Sequence, residues 1–168
     1  MAATATEQVI NDGPRNLILK YTIAGTSGDA AAILMAATAT EQVINDGPRN
    51  LILKYTIAGT SGDAAAVKLV DVSDFVDAEG NALGANALTL IGIEASLTGF
   101  SCKLVWDATS NVDLVEIPSD EPIKQDYRRF GGIKDNSGTG STGDVMFTTT
   151  GYTASGDGGS IFLKFKKT

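Results

Sequence analysis

Residues 1–32 of this 168-residue chain recur letter for letter as residues 35–66, with only Ile33 and Leu34 between the copies. That repeat limits what the chain can fold into more than any other feature. Repeat architectures stack several units to bury a continuous core, and a single extra copy cannot do so. The second copy runs directly into the remainder of the sequence. Residues 35–168 therefore read as one complete unit, Met35 as an original start, and residues 1–34 as a spare N-terminal segment. Perfect identity fits either a very recent event or a bench origin.

Period-two alternation dominates and helical periodicity is scarce. In residues 49–57, Leu51, Leu53, Tyr55 and Ile57 fall on one face, with Asn50, Lys54 and Thr56 opposite and Ile52 the one apolar exception. This is the pattern of a half-buried strand. Residues 67–72 predict a second strand, and 77–82 a polar turn. The mostly apolar run 88–97 predicts a third strand, and Gly99 marks the bend into 100–106, with Phe100, Cys102, Leu104 and Trp106 inward. After the turn 107–111, the run 112–117 predicts another strand. Pro118 and Pro122 bracket an extended connection, because proline is poorly tolerated inside a sheet.

The loop 134–143 is too polar and glycine-rich for a core. Residues 144–150 resume the alternation through Val145 and Phe147. Residues 155–159 predict a hairpin turn, and 160–166 a closing strand with Ile161, Leu163 and Phe165 inward. Strands joined by glycine and asparagine turns, with no helices between them, predict an all-β fold, an antiparallel β-sandwich.

The duplicated strand adds a physical demand. Its face of Leu17, Leu19, Tyr21 and Ile23 needs burial, and its backbone needs hydrogen-bond partners, most readily at a strand edge. Both copies have equal preference for the first-strand position of the unit. One fills it, and the other can add to an edge of its own subunit or of a neighbour. The reading adopted is an arm, residues 1–34, that engages a neighbour through those four side chains.

Twenty acidic residues against thirteen basic ones leave a net charge of −7, which argues against nucleic acid as a partner, since phosphate binding needs a basic surface. Histidine is absent, removing the commonest general base and every Ser-His or Cys-His dyad. Cys102 is the single cysteine and reads as a small buried hydrophobe. No run approaches the ~20 apolar residues of a membrane span, and the N-terminus lacks the pattern of a secretion signal.

Among candidate sites, Asp71, Asp74, Asp77 and Glu79 form the densest acidic stretch and read as a solvated turn more readily than as a calcium loop. The run 135–144 lacks the closing glutamate of an EF-hand, because Met146 holds the twelfth position. It also lacks the Gly-Lys-Ser/Thr of a phosphate loop. No catalytic, metal or cofactor constellation is predicted, and the chain reads as a non-enzyme. The cluster Tyr127, Arg128, Arg129 and Phe130 is the candidate interface, since arginine and tyrosine are favoured at the energetic centres of protein contacts. The same arginines could equally tie down the adjoining loop.

Three blocks carry a resemblance: Leu104-Val-Trp-Asp-Ala-Thr-Ser-Asn-Val112, Asp126-Tyr-Arg-Arg-Phe-Gly-Gly-Ile133 and Asn136-Ser-Gly-Thr-Gly-Ser-Thr-Gly-Asp-Val-Met-Phe-Thr-Thr-Thr-Gly151. Together they resemble small structural proteins of tailed-bacteriophage particles. The stretch Ala39-Thr-Glu-Gln-Val-Ile-Asn-Asp-Gly-Pro-Arg-Asn-Leu51 looks like the usual start of those chains. The similarity spans most of residues 35–168 and leaves residues 1–34 without a counterpart.

The resemblance implies a virion component assembled in the host cytoplasm: a capsid decoration or cement protein on the capsid surface that bridges major capsid proteins, as a homo-oligomer. The alternatives are a tail or head-to-tail connector component, and a carbohydrate- or receptor-binding module on the virion surface. It transfers no catalytic residue.

Overall fold

The computed structural model describes residues 36–168 with their side chains and, before them, the backbone of two strands, Thr4–Gly13 (β1) and Asn16–Ala24 (β2). The chain divides into two compact units, Met1–Ile33 and Leu34–Thr168. In the first unit β1 and β2 form an antiparallel hairpin, from Thr4 opposite Ala24 to Gly13 opposite Asn16, whose register slips between Val9 and Asn11. Leu17, Leu19, Tyr21 and Ile23 lie on β2; their side chains are outside the described residues.

The second unit opens with the twin hairpin, Thr38–Asp46 (β3) and Asn50–Ala58 (β4), paired from Thr38 opposite Ala58 with the same slip between Val43 and Asn45. There follow Val67–Val70 (β5), Leu88–Thr98 (β6), Ser101–Trp106 (β7), Val112–Ile117 (β8), Ile123–Asp126 (β9), Ile133–Lys134 (β10), Val145–Thr150 (β11) and Gly158–Lys167 (β12). All the pairings are antiparallel, and no described residue is α-helical. The all-β expectation holds.

Among the described residues this unit contains two sheets. One runs β10-β6-β12-β4-β3, with β9 also paired to β6; the other runs β5-β11-β7-β8. The alternation read from the sequence decides which side chains meet. Leu51, Leu53, Tyr55 and Ile57 of β4 and Ile161, Leu163 and Phe165 of β12 are buried from the first sheet. Cys102, Leu104 and Trp106 of β7 and Val145 and Phe147 of β11 are buried from the second, and all belong to a single core. Trp106 and Phe165 join the sheets across it with ring centroids 6.4 Å apart. Phe100 meets Tyr152 nearly edge-on at 5.0 Å, a favoured aromatic geometry.

One expectation changes in detail, and one strand was not foreseen. Residues 155–159 do form a turn, in which Asp157 accepts hydrogen bonds from the Thr153 and Ala154 amides at 2.7 and 2.9 Å. The strands on either side belong to different sheets, however, so the turn is a crossover between layers rather than a hairpin. β3 goes unmarked by the sequence pattern. Its side chains are exposed along almost its whole length, and it is held by backbone pairing to β4 and by two side-chain ties. Tyr55 donates a hydrogen bond to Glu41 at 2.5 Å, and the buried ammonium of Lys167 reaches Asp46 and the Val76 carbonyl.

Candidate interaction surfaces

The Tyr127–Phe130 cluster sits on the outer edge of β6. β9 pairs with residues 92–95 of that strand and β10 with Thr89 and Leu90, so the edge is covered on both sides of Ile91. Between the two pairings the chain leaves the sheet. The Tyr127 amide donates to the Ile91 carbonyl at 3.0 Å, the short 3-10 turn Arg128–Phe130 projects outward, and the Gly132 amide returns to the Tyr127 carbonyl at 3.0 Å.

Gly131 and Gly132 both adopt left-handed conformations, φ 83° and 84°, which only glycine enters without strain. Gly132 has a second reason to be glycine. A β-carbon there would lie 2.5 Å from the Thr89 side chain and 2.9 Å from the Leu90 carbonyl oxygen.

The resulting knuckle presents a charged and aromatic face. Phe130 is 85% exposed. Arg128 donates through Nε to both carboxylate oxygens of Asp126 and pairs with it again through a terminal nitrogen at 2.5 Å. The Arg128 hydrogen bonds, joined by its backbone amide and the more distant charge of Arg129, hold the Asp126 carboxyl far below the usual carboxylate range. Tyr127 is half-buried and donates to Gln125. Arg128 is engaged with its own loop, as one of the two sequence readings has it, while Arg129 and Phe130 face solvent.

Beside the knuckle, a cleft of about 490 Å³ crosses the outer face of the larger sheet, between the β3–β4 hairpin and β9. Gly92 leaves its floor low, with Ile52, Ile91 and the Lys164 stem around it. Its charges compensate locally. Lys164 reaches Glu94 at 2.5 Å and Lys124 reaches the same carboxylate at 3.4 Å. Lys164 foremost, and Lys124 with it, hold Glu94 below its ordinary value. Both carboxylates of the cleft, Glu94 and Asp126, therefore stay ionised at neutral pH. Neither is a proton donor there.

Several other acidic groups shape turns. Asp71 caps the short 3-10 turn Val72–Asp74 and pairs with Lys68 at 2.9 Å. Asp77 accepts from the Glu79 and Asn81 amides, closing the loop bridged by Val76 and Ala82. In the polar loop that precedes β11, buried Asp135 gathers the Ser137 and Ser141 hydroxyls and the Ser137 amide. Burial opposes its ionisation, but those donors outweigh it and keep the carboxyl low. Among the described residues no group of His, Cys, Asp or Glu is placed to hold a metal. Burial pushes the Cys102 thiol up to about 12, leaving it protonated and unreactive.

One anchor escaped the sequence reading. Asp63 accepts from the Tyr152 amide at 2.9 Å, the Thr149 hydroxyl at 3.0 Å and the Gly151 amide at 3.2 Å, while Thr149 accepts from the Ala64 amide at 2.8 Å. The Tyr152 amide foremost holds its carboxyl below the ordinary range. This knot ties the end of the repeat to the body. The available signal was a lone carboxylate after Gly59-Thr-Ser-Gly62, but its donors lie some ninety residues away in sequence.

Compared with known proteins, the chain matches no family model, no curated protein and no solved structure.

Proposed function

We propose that this chain is a structural protein of a tailed-bacteriophage particle, a capsid decoration protein that bridges neighbouring major capsid proteins. One observation carries most of the reading. The body buries Leu51, Leu53, Tyr55 and Ile57 to 1% exposure or less, and the chain carries all four a second time on β2. A chain with a surplus hairpin of that composition has β surface to share with a partner. The resemblance of the three sequence blocks supplies the class of partner. They fall on the β7–β8 hairpin, on the knuckle, and on the loop leading into β11.

On this reading a rigid β body spans the junction between capsid subunits. Arg129 and Phe130 of the knuckle supply a cationic and an aromatic contact, and residues 1–34 extend the interface. The test is the copy number and position of the protein in purified particles, by quantitative mass spectrometry with cryo-EM. Copies distributed over the whole shell are the expected result. A small ring at one vertex overturns the decoration reading in favour of a connector or tail component.

A further inference from the structure

We propose that the groove beside β12 is a binding site for either copy of the repeat, so that the chain has a second folded form: residues 1–32 occupy the place that 35–66 hold in the structure, and 33–66 loop out before Val67.

Every contact that holds 35–66 to the body is made by a residue with an identical twin 34 positions earlier. β4 pairs with β12 from Asn50 opposite Lys166 to Ile57 opposite Gly159, and its buried face is the Leu51, Leu53, Tyr55 and Ile57 set. Asp46 meets Lys167, and Asp63 gathers the donors of residues 149–152. The twins are Asn16, Leu17, Leu19, Tyr21, Ile23, Asp12 and Asp29. The body side of these contacts exists once, so two identical ligands compete for one groove.

The backbone supports the exchange. β1–β2 already has the hairpin register that the groove accepts, with the slip at the equivalent place. The repeat also ends where an insertion is tolerated. Ala64 is its last buried residue, and Ala65, Ala66, Val67 and Lys68 are exposed. Surface loops accept long insertions because closure entropy grows only slowly with length. Closing residues 33–66 into such a loop has an entropic cost that the form with the second copy docked does not bear. That difference makes the form with the second copy docked the major one. In either form only one copy of the repeat occupies the groove.

The test uses the full chain with a charge placed on the buried face. Leu53→Asp is expected to keep a cooperative melt, its midpoint lowered by about 10 °C, because the first copy takes the groove. Leu19→Asp is expected to leave the melt unchanged, and the double variant to lose it altogether. Loss of the melt in Leu53→Asp alone overturns the proposal. So does a rescue that disappears on dilution, which would mean that a neighbouring chain supplies the hairpin.

A milder Leu53→Ala chain gives a second readout. The substitution marks one copy by mass, so hydrogen exchange distinguishes the two. Protection appearing on residues 16–24 at the expense of 50–58 supports the exchange, and protection held wholly on 50–58 overturns it.

Discussion

The centre of the larger sheet and the knuckle on its rim solve opposite problems with similar residue types. On β12, Ile161, Leu163 and Phe165 are completely buried between β4 and β6, so each position is dictated by the volume around it. On the knuckle, the aromatic Phe130 stands in solvent, and what is dictated is the backbone: two left-handed glycines and one close approach to β6. The centre specifies the fold through side chains, whereas the rim specifies a surface through main-chain geometry and leaves its side chains free to meet something else.

The largest effect expected from that contrast is at Leu163. Leu163→Ala opens a cavity at a fully buried site and should destabilise the body by about 3–4 kcal/mol in chemical denaturation. Leu53→Ala, at the position paired with it across the sheet, should lose less in the full chain if the repeat's first copy substitutes for the second.

On the rim the glycines rank next. Gly132→Ala combines a left-handed conformation with contact against β6 and should lose about 2–3 kcal/mol, while Gly131→Ala meets open space and should lose only the conformational part, roughly 1–2 kcal/mol. Equal losses would mean that the knuckle does not press on Thr89.

Acid should act on the loops before the core. Asp63, Asp135 and Asp157 have carboxyl groups held below their ordinary value of 3.8. The stability they contribute is therefore present above that value and lost as pH falls through their lower folded values. Glu41 works the other way. Burial foremost raises it, so its protonation relieves a penalty as pH falls through its raised folded value. Thermal midpoints should thus hold or rise slightly while acid protonates Glu41, and fall at lower pH, below about 4, as the three aspartates titrate. Asp63→Asn should flatten part of that acid limb at a loss of about 1 kcal/mol, small because the carboxylate is largely solvated.

The smallest effects on stability are expected at Arg129→Ala and Phe130→Ala, within about 0.5 kcal/mol. If the decoration reading holds, these same variants should weaken attachment to purified capsids in a co-sedimentation assay.

Legibility in the sequence followed burial. The inward residues of β4, β7, β11 and β12 could be named from alternation alone, because each strand has one face in the core and the period of two records it. β3 could not. As an edge strand it buries almost nothing, so its hydrophobicity carries no trace of its pairing. The turn at 155–159 was recognisable by its glycines, yet whether it joined two neighbours or two layers depended on partners distant in sequence.

The same divide runs through the candidate surfaces. Tyr127, Arg128, Arg129 and Phe130 stood out as a contiguous cluster. The adjoining cleft draws Asn45, Ile52, Gly92, Lys124 and Lys164 from five strands, and Asp63 finds its donors across the molecule.

By itself the sequence determined the all-β character, the faces of the principal strands and the existence of two identical copies of the β4 strand segment, since period, turn chemistry and identity are local properties. Only the tertiary structure decided which strands share a sheet, which loop carboxylates become anchors and which face of the knuckle meets solvent. Those outcomes depend on contacts between distant segments, which form only when burial brings them together.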